Sequence, residues 1–229
     1  MYFIGLDLTT SARRRTACVA LGEGLDTFDW GLCGGDEEII VFVGRHRPAI
    51  VAIDAPLSLP RGLCCLEETC HCQPVSNRKG RRCERELSQL GIGCYYTTKR
   101  SIIKGMVYRG IRLKEELSSR GFVVIEVYPY ASKVRLFGRL PPKGTAEGRK
   151  ALQRHLRKLI PVLPPPEESL YSHDLLDALV AAYTGYLYNQ GETEPLGEEA
   201  EGLIHIPRHR IKEGLKKKSG FQLAPLHRK

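Results

Sequence analysis

The chain lacks any apolar run near the roughly 18 residues that a membrane span needs, and its opening MYFIGLDLTT has neither a charged leader nor a cleavage site. A cytoplasmic protein without membrane contact is expected. No repeat period runs through it, and no GxxxxGK[ST] phosphate loop occurs, which argues against an ATPase-like phosphate-binding protein. Aromatic residues are few, 7% with a single Trp, whereas 42% hydrophobic and 27% charged residues in 229 are ordinary for one folded domain with insertions. An acidic excess is also missing, because the formal net charge is +9. That charge is gathered in two places. Arg208 to Lys229 holds eight Lys or Arg against one Glu, and Asn77 to Lys104 holds eight against two, so the remainder is mildly acidic. Two basic patches on an acidic body suit a polyanion lying across an acidic centre, although a run such as Lys216-Lys217-Lys218 is equally at home as a solvated tail.

Hydrophobic spacing gives an α/β order. YFIGLD and the apolar run from Thr16 to Leu21, separated by turn-forming Thr9, Thr10 and Ser11, read as a hairpin. A third strand is expected at Phe28 to Leu32, then a helix capped by Asp36 and stopped before Pro48. The β-branched run AIVAID reads as a central strand buried on both faces, ended by Pro56 just after Asp54. Residues 63 to 82 show neither hydrophobic period and look inserted. Helices follow at Cys83 to Leu90 and Ile102 to Arg120, then the buried strand FVVIEVYP with Glu126 near its end. A basic helix from Thr145 to Leu159 lies between proline-rich stretches, and a last, buried helix begins at Ser172 and stops at Gly191. IHIPRHRI reads as a short returning edge strand. The sum is a mixed five-stranded sheet flanked by helices, with a Cys-rich insertion at about 58–100.

On this frame the acids carry the chemistry. Asp7 and Asp54 end two strands expected side by side at the sheet centre, while Asp174 and Asp177, three apart, share one face of the last helix. A buried helix gains nothing from unpaired carboxylates among Leu175, Leu176, Ala178, Leu179 and Val180, since desolvating such charges costs several kcal/mol without a partner. Mg2+ or Mn2+ is the expected partner, because hard cations take carboxylate oxygens and serve phosphoryl displacement. Plainer roles stand beside this one: a dipole-stabilised helix acid for Asp174, an Arg partner for Asp177, a turn for Asp54, a cation from a neighbouring helix for Glu126.

GLDLTT, VAIDAPLSLP, RRCERELSQLG, VIEVYP and SHDLLDALVAA, in that order, resemble the domain-of-unknown-function family 429 over most of the chain. The resemblance implies a nuclease with a ribonuclease H-like fold, and the last helix is similar to that of Holliday-junction resolvases. By it, residues 1–207 form the ribonuclease H-like domain and 208–229 a basic tail. It makes Asp7 the first-strand metal ligand, Asp54 the fourth-strand ligand, and Asp174 or Asp177 the last-helix ligand; Glu126 is an additional catalytic acid outside the usual trio. The expected activity is metal-dependent hydrolysis of phosphodiesters in nucleic acid. Lys99, Arg100 and Lys104 are then candidate phosphate contacts, with Tyr95 and Tyr96 as stacking surfaces. Rival readings are a nucleic-acid binder without catalysis and an ATPase-like phosphate-binding protein on the same sheet.

Six of the eight cysteines lie between Cys64 and Cys94. In a cytoplasmic chain this favours metal over disulfides, and Cys65, Cys70, Cys72 and Cys83 are the expected ligands of a structural zinc. Cys18 and Cys33 read as core residues.

Overall fold

The structure is a computed structural model that describes residues 1–10 and 14–208. The basic tail expected from the sequence lies, apart from Arg208, outside the described residues. Tyr2–Asp7 (β1), Thr16–Gly22 (β2) and Phe28–Cys33 (β3) form an antiparallel meander, with Tyr2 opposite Gly22 and Thr16 opposite Cys33. Asp36–Gly44 (α1) leads back to Ala49–Ile53 (β4), which pairs with β1 in parallel. Gly35, rather than Asp36, is the cap of α1. Asp36 is its first helical residue and accepts from Arg109 Nε at 2.7 Å.

Arg82–Gln89 (α2) and Lys104–Ser119 (α3) precede Val123–Val127 (β5), which lies parallel to β4. Pro129–Phe137 (α4), Ala146–Leu159 (α5) and His173–Asn189 (α6) follow. Both later helices start as their sequences dictate: Thr145 Oγ1 accepts from Gly148 N, and Ser172 Oγ from Leu175 N. Thr193–Glu198 (β6) and Gly202–Pro207 (β7) complete one seven-stranded sheet in the order β3-β2-β1-β4-β5-β7-β6. This is an α/β arrangement of the expected kind, a mixed sheet flanked by helices, with two strands more than the five expected. The returning strand β7 is not an edge. It pairs in parallel with β5, and β6 covers its other side.

Alternation along the strands divides the core. Phe3, Val19, Ala52 and Val127 point to one face, where the apolar side of α6 and Leu152 and Leu156 of α5 cover them. Ile4, Leu6, Val51 and Ile53 point to the other, against Ile39 and Phe42 of α1 and Leu113 and Leu117 of α3. A third, smaller cluster joins Cys83 and Leu87 of α2 to Ala131 of α4 and to Leu196 and Ile204 of the β6–β7 pair, which docks part of the inserted region on the far end of the sheet.

Candidate functional site

Asp7 and Asp54 leave the sheet together. Leu6 is paired with Ile53, and the Asp54 amide donates to the Leu6 carbonyl at 2.9 Å, so both carboxylates stand at the C-terminal edge of adjacent parallel strands. Gly5 brings the helix acids to them. A Cβ there would lie 1.9 Å from the Ala178 carbonyl oxygen and 2.4 Å from the Ala182 amide, so α6 rests directly on the bare backbone of β1. Residue 7 shares a strand face with residue 5. The first turns of α6 therefore reach Asp7, whose carboxyl shares a hydrogen bond with Asp174.

The site opens into a cleft of about 530 Å³ lined by Asp7, Asp54, Asp177, Lys133, Lys143 and Tyr128, among others. Burial, then repulsion from Asp54, Asp177 and Asp174, pushes the Asp7 carboxyl up to about 9. Burial and Asp177 push Asp54 up to about 8, against the opposing pull of Lys143 and Lys133. Asp177, by contrast, is held on both oxygens: Lys133 Nζ donates to Oδ1 and Lys143 Nζ to Oδ2, each at 2.6 Å. Two hard-oxygen ligands in an under-neutralised, partly desolvated cluster are the donor set that Mg2+ or Mn2+ takes, so Asp7 and Asp54 fit the cation expected from the sequence.

Glu126 lines the same cleft but is held by other partners. Its oxygens accept from Arg81 Nη1 and Nη2 at 2.8 and 2.6 Å, and from the Leu57 amide at 2.8 Å. Arg81 has no solvent-exposed surface and also reaches Glu84 Oε1 at 3.0 Å. This engagement fastens the inserted region to the end of β5, while the Glu126 charge also helps to raise the Asp54 carboxyl. The plainer expectation of a cationic partner is the one met, though the partner comes from the segment before α2.

The basic residues expected at the substrate are only partly there. Lys99 donates to the Cys70 carbonyl and Arg100 lies 3.5 Å from Glu68, and both line a separate surface cavity with Arg78 and Lys79. Lys104 opens α3 beside Ile103 and Met106, which do line the cleft. Tyr95 lines it as well, whereas Tyr96 packs under Lys79 and bonds Ser88. The cleft's own lysines, Lys133 and Lys143, escaped the sequence reading. Lys133 lies on α4, a helix hidden behind the strand-ending pattern VYP, and Lys143 in a proline-flanked loop.

The cysteine expectation needs one substitution. Cys64, Cys65, Cys70 and Cys72 have sulfurs all within 4.8 Å of one another, the one such set of His, Cys and acidic ligand atoms among the described residues. Cys83 is not in it, because α2 buries that side chain in the third core cluster. Backbone hydrogen bonding at Cys65 pulls the Cys72 thiol down to about 6. Cys18 and Cys33 are buried, as expected, with sulfurs 3.2 Å apart.

No helix among the described residues is long and apolar enough to cross a membrane. Among solved structures the chain is similar to that titled Thermus thermophilus RuvC structure, at 15% identity and a TM-score of 0.41, covering 83% of this chain and 97% of that one. No curated protein matches it. Residues 5–202 match the family model described as protein of unknown function (DUF429), and the chain therefore belongs to the DUF429 family.

Proposed function

We propose that this protein is a metal-dependent nuclease that hydrolyses phosphodiester bonds of nucleic acid in the Asp7–Asp54 cleft. The observation that carries the reading is the pair of strand-end carboxyls pushed up to about 9 and about 8 by burial and by one another, in a cleft that also holds two lysines. Carboxyls perturbed by burial and by one another in a cleft are the kind of group that active sites assemble. Asp7 and Asp54 would hold Mg2+ or Mn2+, with Asp174 reaching the same centre through Asp7 and Asp177 on its far side. The bound cation supplies Lewis-acid polarisation of the phosphate and a water made more acidic.

The chain's own groups account for substrate binding. Lys143, more than half exposed, is free to leave Asp177 Oδ2 for a phosphate oxygen, and buried Lys133 keeps Asp177 oriented as it does so. Tyr95, 65% exposed at the cleft wall, offers a face for a base. The basic tail from residue 208 adds phosphate attraction that carries no sequence information.

Labelled single-stranded, duplex and branched DNA and RNA, incubated with Mg2+ or Mn2+, test the reading against Asp7→Asn and Asp54→Asn. Cutting that needs the metal and falls at least about 100-fold in each variant is expected. Salt-sensitive binding that ignores the metal, with no cutting of any substrate, would instead make the protein a nucleic-acid binder. Nucleotide turnover without nucleic acid would favour the ATPase-like alternative.

A further inference from the structure

We infer that Cys64, Cys65, Cys70 and Cys72 form a closed, structural zinc site that fixes the shape of the inserted segment where Tyr108 ties it to the helix wall of the cleft. The four sulfurs lie within 4.8 Å of one another, and Cys64 Sγ and Cys70 Sγ are 3.6 Å apart. Tetrahedral zinc with Zn–S bonds of about 2.3 Å requires sulfur–sulfur separations of about 3.8 Å, so the set needs only small side-chain adjustments. Four protein ligands leave no position for water, which makes the site structural. On loading, each thiol releases its proton to solvent and no electron is transferred. The tetrathiolate centre then carries a net charge of −2. The Lys99 ammonium, which donates to the Cys70 carbonyl, stands beside it as a counter-charge.

The segment also needs such a clamp. Between β4 and α2 the chain has no helix or strand, and from Arg61 to Lys79 Leu66 is the one buried side chain. Loops longer than about 12–15 residues without regular structure hold a fixed shape only when something other than a core fastens them. The sulfur cluster sits where the fastening is required. Directly beside it the Leu66 amide donates to Tyr108 Oη at 2.6 Å and Tyr108 donates to Glu67 Oε1 at 2.9 Å. Tyr108 belongs to α3, two residues from Met106 in the cleft wall. Four neighbouring thiols, one exposed and three half-buried, would oxidise readily if left free, and ligation protects them. None of this depends on the nuclease reading.

The test uses the full chain expressed with zinc in the medium and purified without chelator, followed by elemental analysis and exchange into Co2+. About one zinc per chain is expected, and the cobalt form should show tetrahedral d–d bands with an intense sulfur-to-cobalt charge-transfer band. Cys64→Ser and Cys70→Ser should weaken or abolish that band, while Cys94→Ser and Cys83→Ser leave it unchanged. Removal of zinc should increase tryptic cleavage between residues 61 and 82. A wild-type chain with no zinc and no thiolate–cobalt band overturns the site, as do disulfides among the four cysteines in chain purified without oxidant. Iron in place of zinc overturns the metal assignment. A band that survives Cys64→Ser but is lost in Cys83→Ser overturns the ligand set.

Discussion

Asp7 and Asp54 are carboxyls whose ordinary value lies near 4 and which the folded cleft raises to about 9 and about 8. The sign of the consequence is fixed by linkage. Between pH 4 and about 8 the folded metal-free chain holds protons at these sites that the unfolded chain has released, so stability falls as pH rises across that window and levels off above about 9. Thermal denaturation of metal-free protein from pH 4.5 to 9 should show that decline, and Asp54→Asn should flatten it. Mg2+ should raise the midpoint at pH 8 more than at pH 5, because the cation takes the place of those protons. A different charge cluster governs Arg81. Its buried guanidinium serves Glu84 and Glu126 together, and Arg81→Met leaves two buried acids without it, at a cost of about 3–5 kcal/mol in chemical denaturation. The acidic residues were legible beforehand because Asp is conspicuous at the end of an apolar run. Their lysine partners were not, since Lys133 and Lys143 sit in segments whose patterns resemble any solvated surface.

Strand β1 and helix α6 meet as closely as two elements can. Glycine at position 5 is the reason, and Gly5→Ala would drive a methyl into the Ala178 peptide. The helix must then lift, at a cost of about 3 kcal/mol or more, and Asp174 and Asp177 lift with it. Reduced unfolding midpoint together with lost cleavage is the expected pair of results; the same substitution at Gly121, where nothing lies within 4 Å but φ is +84°, should lower stability through the strained backbone while sparing activity. Most elements could be read from periodicity, since β1, β2, β4, β5 and α6 carry continuous apolar surface. Two escaped for identifiable reasons. Helix α4 begins on Pro129, which doubles as a favoured first helical residue and as an apparent strand breaker. Strand β6, TEPLGE, contains a proline and a glycine, tolerable because it is the edge of the sheet.

Charge organises the molecule more broadly than any single contact does. Removing residues 209–229 takes away seven Lys or Arg and leaves the acidic cleft in place. Binding of nucleic acid by that truncated chain should depend less steeply on salt, by up to about six in the slope of log K against log salt if every lost cation faced a phosphate, while single-turnover cleavage of bound substrate stays near the full-length rate. An unchanged slope would mean that the tail takes no part in binding. Strand β7 carries a further consequence. It fills the edge of β5 only from residue 202 onward, and the buried Glu201 just before it receives the Arg61 and Arg82 amides that dock the inserted region. During synthesis, then, residues 1–200 can emerge from the ribosome with β5 unpaired on one side and its insertion without the Glu201 contacts, an exposed edge of the kind that recruits other chains. Nascent chains stalled before this point should therefore aggregate or bind chaperones, and the cleft would be completed only once Ile204 of β7 is in place.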